Sequence, residues 1–165
     1  NEITLASNNS KILKTIQMAY SKAPYFNEAF PVIESVFENM DEKVRISEIA
    51  ALSVTKVAEY LGMDVAFEFS SHRYPETKGM EKAERLMTIC KKNNIQYYIN
   101  AAGGKELYTK DQFLEHNISL HFIKNHWRKY RQFGNDFIPN LSIIDAMMFN
   151  SPEEILSMLD DYELE

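Results

Sequence analysis

Apolar residues recur at helical spacing through the first third of the chain and predict three helices joined by short turns. The predicted helices cover residues 10–22, 26–39 and 41–62. Ser10 and Asp41 are suited to cap the first and third of them, because their side-chain oxygens can accept hydrogen bonds from free backbone N–H groups. Gly62 is a typical residue for ending the third helix. Residues 1–62 are therefore predicted to be a helical segment.

The spacing of the apolar residues changes after Gly62. Val65, Phe67 and Phe69 occupy alternate positions, which predicts a β-strand at 65–69. Further strands are predicted at 95–100 and 118–123, separated by helices at 80–93 and from Thr109 onward. Strands joined by helical crossovers run parallel. Residues 63–124 are therefore predicted to form a β-α-β-α-β core.

Residues 125–140 lack a periodic pattern, and a loop of that length in a compact domain is usually functional or mobile. A short helix is predicted at 141–150, and Ser151, Pro152 and Glu154 together predict the start of a final helix. The predicted fold class is α/β: an N-terminal helical segment, a small and mainly parallel β-α-β-α-β sheet, and C-terminal helices within 125–165. Residues 1–165 would form a single domain or a C-terminal fragment.

A sheet of three parallel strands has two open edges, which proteins usually cover or keep short. The chain also begins with Asn1 rather than methionine. Both observations favour the interpretation that residues before Asn1 complete the sheet and the site. Alternatively, the alternating Ile3 and Leu5 form a short strand that pairs with the sheet, and nothing is missing.

Charge and cysteine content exclude several classes of protein. The formal net charge of −6 argues against a protein that coats nucleic acid or anionic lipid. Cys90 is the single cysteine, so there is neither an intramolecular disulfide nor a cysteine zinc cluster, and its place in a helix predicts a buried, inert thiol. No apolar run approaches the roughly 20 residues of a membrane span. We expect a cytoplasmic protein without nucleic-acid binding or membrane insertion.

A candidate ligand site lies in the loops that follow the predicted strands, because open α/β sheets bind ligands at the carboxyl ends of their strands. The paired glycines after strand 95–100 could expose backbone N–H groups to an anion, or could simply form a turn that requires positive φ. Ser70 and Ser71 offer hydroxyls to a phosphate or carboxylate, or could be ordinary capping residues. The residues assigned to ligand binding are Ser70, Ser71, Asn100, Gly103, Gly104, Glu106, Tyr108, Tyr130, Asn140 and Asp145.

Familiar catalytic and cofactor motifs are absent from the sequence. There is no G-x-G-x-x-G fingerprint, P-loop or G-x-S-x-G elbow, and the histidines lack zinc-ligand spacing. We therefore assign no catalytic residue, cofactor or metal. The basic and aromatic run at 124–131 could bind a phosphate, but we prefer pairing with the acidic residues of 151–165. Asp145 could be a base, hold a ligand, or be placed for the helix dipole.

Several stretches of this chain resemble the WbqC-like protein family. They are INAAGGKELY at 99–108, YRQFGNDFIPNLSIIDAMMFN at 130–150 and SMLDDYELE at 157–165, together with KTIQMAYSKAPYF at 14–26 and SSHRYPETKG at 70–79. The resemblance implies a transferase of bacterial O-antigen or surface-polysaccharide biosynthesis. Such an enzyme would act on an activated sugar, or add a substituent such as an aminoacyl group to an amino sugar. The implied ligand is a nucleotide sugar or an amino sugar.

One part of the family pattern is missing. Family members typically open with a Gln-Pro-x-x-x-Pro-x-x-Gly-Tyr segment and an aspartate-rich strand end, and nothing in 1–165 matches either. Part of any catalytic centre is therefore expected outside this chain, and whether the chain alone is an enzyme is left open. The alternative is a non-catalytic module that docks polysaccharide-biosynthesis enzymes through residues 1–62. A homo-oligomer is left open as well.

Overall fold

A computed structural model describes residues 9–38, 45–134 and 136–165 of the chain. The chain divides into two compact units: unit 1 comprises Asn1–Phe67 and Trp127–Asp160, and unit 2 comprises Glu68–His126 and Asp161–Glu165. The strand predicted at Ile3 and Leu5 and the cap predicted at Asp41 lie outside the described residues. The prediction of a single domain stays a prediction.

The described residues form helices and strands in the following order. They are α1 (Asn9–Tyr20), α2 (Phe26–Glu38), α3 (Ile46–Tyr60), α4 (Ser70–Arg73), α5 (Lys82–Lys92), β1 (Tyr97–Ala101), α6 (Lys110–Leu114), β2 (Ser119–Asn125), α7 (Ile143–Phe149), α8 (Pro152–Met158) and β3 (Tyr162–Leu164). Short 3₁₀ helices lie at Pro75–Thr77 and Ala102–Glu106.

Two helix ends that the sequence predicts, at Gly62 and Ser151, are confirmed, whereas the predicted cap at Ser10 is wrong because Ser10 lies within α1. Gly62 follows α3 with a φ of +68°, and the N–H of Met63 donates to the carbonyl of Ala58 at 2.9 Å, which closes a Schellman motif. The N–H of Glu154 donates to the Ser151 hydroxyl at 3.2 Å, and the Glu154 carboxylate accepts from the Ser151 N–H at 2.7 Å. This capping box begins α8 as predicted.

Unit 1 is a helical bundle in which α2 packs against α3 and α7. Its buried core consists of small and flexible apolar side chains: Ala23, Ala29, Ile33, Leu61, Met147, Met148 and Ile155. The N–H of Tyr25 donates to the carbonyl of Met148 at 3.1 Å and ties the start of α2 to α7. Pro31 is the sixth residue of α2, beyond the first turn, so it removes one intrahelical hydrogen bond from the helix.

Unit 2 is built on a three-stranded sheet with the order β1-β2-β3. Strands β1 and β2 are parallel, from Tyr97 opposite Ser119 to Ala101 opposite Ile123. Strand β3 is antiparallel to β2. The inward side of the sheet packs against α5 and α6 in a core of Cys90, Phe113, Ile118, Leu120 and Phe122. Burial raises the pKa of the Cys90 thiol, which agrees with an inert cysteine.

The α/β class is confirmed, but the predicted parallel β-α-β-α-β sheet is wrong. Residues 65–69 are irregular, and Val65, Phe67 and Phe69 are 46%, 46% and 38% exposed. Alternating apolar residues indicate an extended backbone, but they do not indicate which strand the segment would pair with. Without a neighbouring strand to hydrogen-bond to, an extended segment does not become part of a sheet. The third strand of the sheet is instead β3, at the C-terminal end of the chain. None of the helices in 9–38, 45–134 and 136–165 has the length and apolar character that crossing a membrane requires.

Candidate functional site

The residues assigned to ligand binding are distributed over both units. Unit 2 contains Ser70, Ser71, Asn100, Gly103, Gly104, Glu106 and Tyr108, whereas unit 1 contains Tyr130, Asn140 and Asp145. The expectation that the loops at Ser70–Ser71, 100–108 and 130–145 line one cleft stays a prediction. Within unit 2, the parallel pairing of β1 with β2 places the carboxyl ends of these two strands at one edge of the sheet.

Gly104 is required by close packing against Asn100. The glycine is buried, and a Cβ added to it would lie 2.7 Å from Nδ2 of Asn100. Asn100 is held in this position because its Oδ1 accepts the N–H of Ala101 at 2.8 Å. The predicted alternative of a turn with positive φ is wrong, since Gly103 and Gly104 both have ordinary backbone angles within the 3₁₀ helix. Gly103 has open space around its Cα.

At the end of this turn, Tyr108 has a structural role, whereas Glu106 is accessible to a ligand. The ring of Tyr108 packs edge-on against buried Phe113, with 6.0 Å between the ring centroids. The Tyr108 N–H donates to the carbonyl of Gly104 at 2.9 Å, so Tyr108 anchors the turn to the core of unit 2. Glu106 is exposed, and within the described part of the chain its carboxylate has no hydrogen-bond or ion-pair partner.

Charged side chains beside this turn are paired with one another. Lys105 forms an ion pair with Glu165, and Lys124 contacts the carboxylates of Glu163 at 2.5 Å and Glu165 at 3.6 Å. These lysines hold the pKa values of both glutamates below their usual range. For Lys124, the predicted pairing of the basic run with the C-terminal acids is therefore confirmed. Arg128 in unit 1 donates to the hydroxyl and carbonyl of Ser157.

Ser70 and Ser71 begin α4, so the expectation that they close a strand is wrong. The Oγ of Ser70 accepts a hydrogen bond from Nη2 of Arg85 at 2.9 Å. The Nε of Arg85 donates to Oγ1 of Thr77 at 3.1 Å, and the Thr77 hydroxyl donates to the carbonyl of Tyr74 at 2.7 Å. Thr77 is fully buried, which fixes this acceptor in place. Ser71 is exposed beside the pair.

Asp145 is the centre of a second polar cluster, which lies in unit 1. Its side chain is 3% exposed and accepts three hydrogen bonds. The donors are the hydroxyl of Tyr20 at 3.0 Å, the hydroxyl of Tyr130 at 2.7 Å and Nε2 of Gln132 at 2.8 Å. Burial, followed by the bond to this carboxylate, raises the pKa values of Tyr20 and Tyr130 to about 12. Asp145 therefore joins α1 and the 130–132 segment to α7.

Asn140 is explained by the backbone rather than by a ligand. It is exposed and has a φ of +59°, a left-handed conformation that asparagine adopts more easily than most residues with a side chain. In the 130–145 segment, Asn140 therefore shapes the turn, and the hydroxyl of Tyr130 donates to Asp145 at the start of α7.

Comparison with known proteins identifies one family. Its sequence model, described as the WbqC-like protein family, matches residues 1–157. The chain belongs to the WbqC-like protein family. The match extends over nearly the whole chain and not only a C-terminal portion of it. No curated protein matches the chain, and no solved structure matches it either.

The contacts of this WbqC-like protein include residues that the sequence alone did not single out. Arg85, Thr77, Tyr20 and Gln132 each make a hydrogen bond that organises one of the two polar clusters. Arg85 is nevertheless unusual in the sequence, because a positive charge in the first turns of a helix interacts unfavourably with the helix dipole. Tyr20 lies 125 residues from Asp145 in sequence, and no local pattern links them.

In chemical terms, the two clusters of this WbqC-like chain differ in what they can still bind. The carboxylate of Asp145 is buried and already accepts three hydrogen bonds, so it has little capacity for a ligand. The guanidinium of Arg85 has used two of its five N–H groups. Glu106 is exposed and has its whole carboxylate available. Within unit 2, Arg85 is therefore a cationic group and Glu106 an anionic group that a ligand could contact.

Proposed function

We propose that this protein is a cytoplasmic transferase of bacterial surface-polysaccharide biosynthesis. It acts on an activated sugar, or adds a substituent such as an aminoacyl group to an amino sugar. Membership of the WbqC-like family supports this class of function. The parallel pairing of β1 and β2 supports the location of the site, because ligands of open α/β sheets bind at the carboxyl ends of the strands.

The observation that carries the proposal is the turn after β1. The turn is rigid, because Gly104 packs against Asn100 and Tyr108 packs against Phe113. It exposes the carboxylate of Glu106, which has no partner in the part of the chain that the structure describes. Sugar hydroxyls and amino groups donate hydrogen bonds, and an ionised carboxylate accepts them on two oxygens. Glu106 is therefore assigned to sugar recognition, and no residue is assigned to the chemical step.

The test is an NMR titration of the full ¹⁵N-labelled chain with UDP-, dTDP-, GDP- and CMP-linked sugars. We expect at least one of them to shift the amide signals of residues 100–108. Glu106→Gln should weaken that ligand about threefold to tenfold, the usual effect of losing a charge-assisted hydrogen bond at an exposed site. The control Glu115→Gln removes an equally exposed carboxylate of unit 2 and should leave the affinity unchanged. Shifts that avoid 70–71, 100–108 and 130–145 alike would contradict the proposal.

A second function, a non-catalytic assembly module, is favoured by one feature of unit 1. A cavity of about 510 Å³ lies among α1, α2, α3 and α7, and most of its lining side chains are apolar. Ile12, Val54 and Ile143 line it and are 42%, 54% and 41% exposed. Apolar surface of this kind suits an apolar helix of a partner enzyme.

The assembly function is tested by substitution within this cavity. Val54→Lys should abolish binding of a polysaccharide-biosynthesis enzyme to the full chain. The control Ala50→Lys adds the same charge to an exposed position of α3 that does not line the cavity, and should leave binding intact. Substrate turnover by the 165-residue chain alone would eliminate the non-catalytic alternative.

A further inference from the structure

Arg85 is a partly buried cation that is held in place by neutral groups. Its Nε and Nη2 atoms donate to the hydroxyl oxygens of Thr77 and Ser70. Across the part of the chain that the structure describes, no carboxylate lies within ion-pairing distance of it. Two other basic side chains of unit 2 do pair with carboxylates: Arg73 pairs with Glu68 at 3.1 Å, and Lys92 pairs with Glu76.

Taking a charge out of water costs free energy unless an opposite charge or a full set of hydrogen bonds replaces the lost hydration. Two hydroxyl oxygens give Arg85 only part of that compensation. A negative charge beside the guanidinium would supply the rest of the compensation. Because the side chain is partly exposed, an anion can reach it from solvent. The arrangement is therefore expected to be more stable with an anion bound.

The free donors also match an oxyanion in number and kind. Among residues 9–38, 45–134 and 136–165, no group accepts a hydrogen bond from either N–H on Nη1 of Arg85 or from the second N–H on Nη2. The Ser70 oxygen accepts from Arg85, so its own hydroxyl proton is free to donate outward. The planar fork of an arginine matches phosphate oxygens with two parallel bonds. Because Thr77 is fully buried and bonded to Tyr74, the guanidinium is fixed before a ligand arrives.

We propose that Arg85 and Ser70 form an oxyanion site that binds a phosphate group of the activated donor. The site lies within unit 2 and needs no residue of unit 1. The assignment of that phosphate to a sugar donor rests on the proposed function, whereas the phosphate binding itself does not. The donor phosphate comes from either a nucleoside or a polyprenyl carrier, and the two share the same diphosphate chemistry.

Calorimetric titration of the full chain with inorganic pyrophosphate, at low salt, tests the site. Arg85→Gln should weaken pyrophosphate binding by about tenfold or more, as expected for the loss of a charge-assisted bidentate contact. Ser70→Ala should weaken it about threefold, because one neutral donor is lost. Arg73→Gln is the matched control: it removes the same charge from an exposed arginine of the same segment, and should change the affinity less than about twofold. UDP and geranyl diphosphate distinguish the nucleoside carrier from the lipid carrier.

Three results would overturn the oxyanion site. They are the absence of pyrophosphate binding by the unsubstituted protein, an equal loss in Arg73→Gln and Arg85→Gln, and binding of acetate as tight as that of pyrophosphate. If Arg85→Gln does not fold, the unsubstituted protein decides: pyrophosphate must shift the amide signals of Ser70 and Ser71. Pyrophosphate binding at Arg85, together with nucleotide-sugar shifts that avoid 70–71, 100–108 and 130–145 alike, would contradict the proposed function and leave the oxyanion site standing.

Discussion

The clusters around Asp145 in unit 1 and Arg85 in unit 2 each hold one acidic or basic side chain among hydroxyl and amide groups. Asp145 is 3% exposed and accepts from two tyrosines and a glutamine. Arg85 is partly exposed, donates to two hydroxyls and keeps three N–H groups free.

The comparison shows how a structural charge differs from one available to a ligand. A buried carboxylate with three donors has its lost hydration replaced, and removing it would orphan every donor. A partly exposed guanidinium that has free donors, and no carboxylate partner among the described residues, can gain free energy from an anion. We therefore expect substitutions at Asp145 to change stability and substitutions at Arg85 to change binding.

The largest effect is expected at Asp145. Asp145→Ala leaves the hydroxyls of Tyr20 and Tyr130 and the amide of Gln132 without their acceptor, which should lower the free energy of unfolding by about 3 kcal/mol or more. Urea unfolding measures the change. The control Asp160→Asn, at an exposed position of the same unit, should stay within about 0.5 kcal/mol. If Asp145→Ala lowers the free energy of unfolding no more than Asp160→Asn does, the three hydrogen bonds of Asp145 do not stabilise unit 1.

The same cluster predicts how stability depends on alkaline pH. Tyr20 and Tyr130 have pKa values of about 12 in the folded chain, above the ordinary 10.0. A raised tyrosine pKa gives stability that is complete below pH 10 and lost as pH rises towards 12, because the unfolded chain ionises first. Urea midpoints measured from pH 8 to pH 11.5 should fall, and less steeply in Tyr20→Phe and Tyr130→Phe. Tyr97→Phe, at a 70% exposed position, should keep the slope of the unsubstituted protein.

A smaller effect is expected in the turn after β1. Gly104→Ala places a Cβ 2.7 Å from Nδ2 of Asn100 and pushes that side chain out of its contact, at a cost of about 1–2 kcal/mol. Gly103→Ala meets nothing within 4 Å and should change the free energy of unfolding by less than about 0.5 kcal/mol. Thermal unfolding compares the two variants. Equal effects would mean that the packing of Asn100 does not fix the turn.

The smallest change in stability is expected at Arg85. Arg85→Gln loses two hydrogen bonds to hydroxyls but also removes a cation without a counterion, so the free energy of unfolding should fall by about 1 kcal/mol or less. The same urea experiment measures it. A loss as large as that of Asp145→Ala would show that Arg85 is structural, and the distinction between the clusters would fail.

Interactions within a few residues were predictable from the sequence, and those between distant residues were not. The capping boxes at Thr109 and Ser151 and the stop at Gly62 depend on neighbours within five residues. The alternating residues 65–69 did not reveal that the segment lacks a pairing partner. β3 was missed because a strand of three exposed residues depends on its pairing with β2.

The candidate site shows the same limit. Tyr130 and Asp145 were singled out by residue type, but the hydrogen bond between them gives both a structural role. Glu106 was named from its place after a strand, and the structure leaves it exposed, with no partner among the residues described. Arg85 reaches Thr77 and Ser70 across 8 and 15 residues, so its fixed position appears only in the folded chain.

If the free N–H groups of Arg85 bind an oxyanion, the Nε–H signal of Arg85 in ¹⁵N NMR spectra must respond to it. During titration of the unsubstituted protein with pyrophosphate, we expect the Arg85 Nε–H signal to shift and to saturate at the calorimetric affinity, while the Arg73 signal stays in place. A stationary Arg85 signal under saturating pyrophosphate would show that Arg85 does not bind the anion.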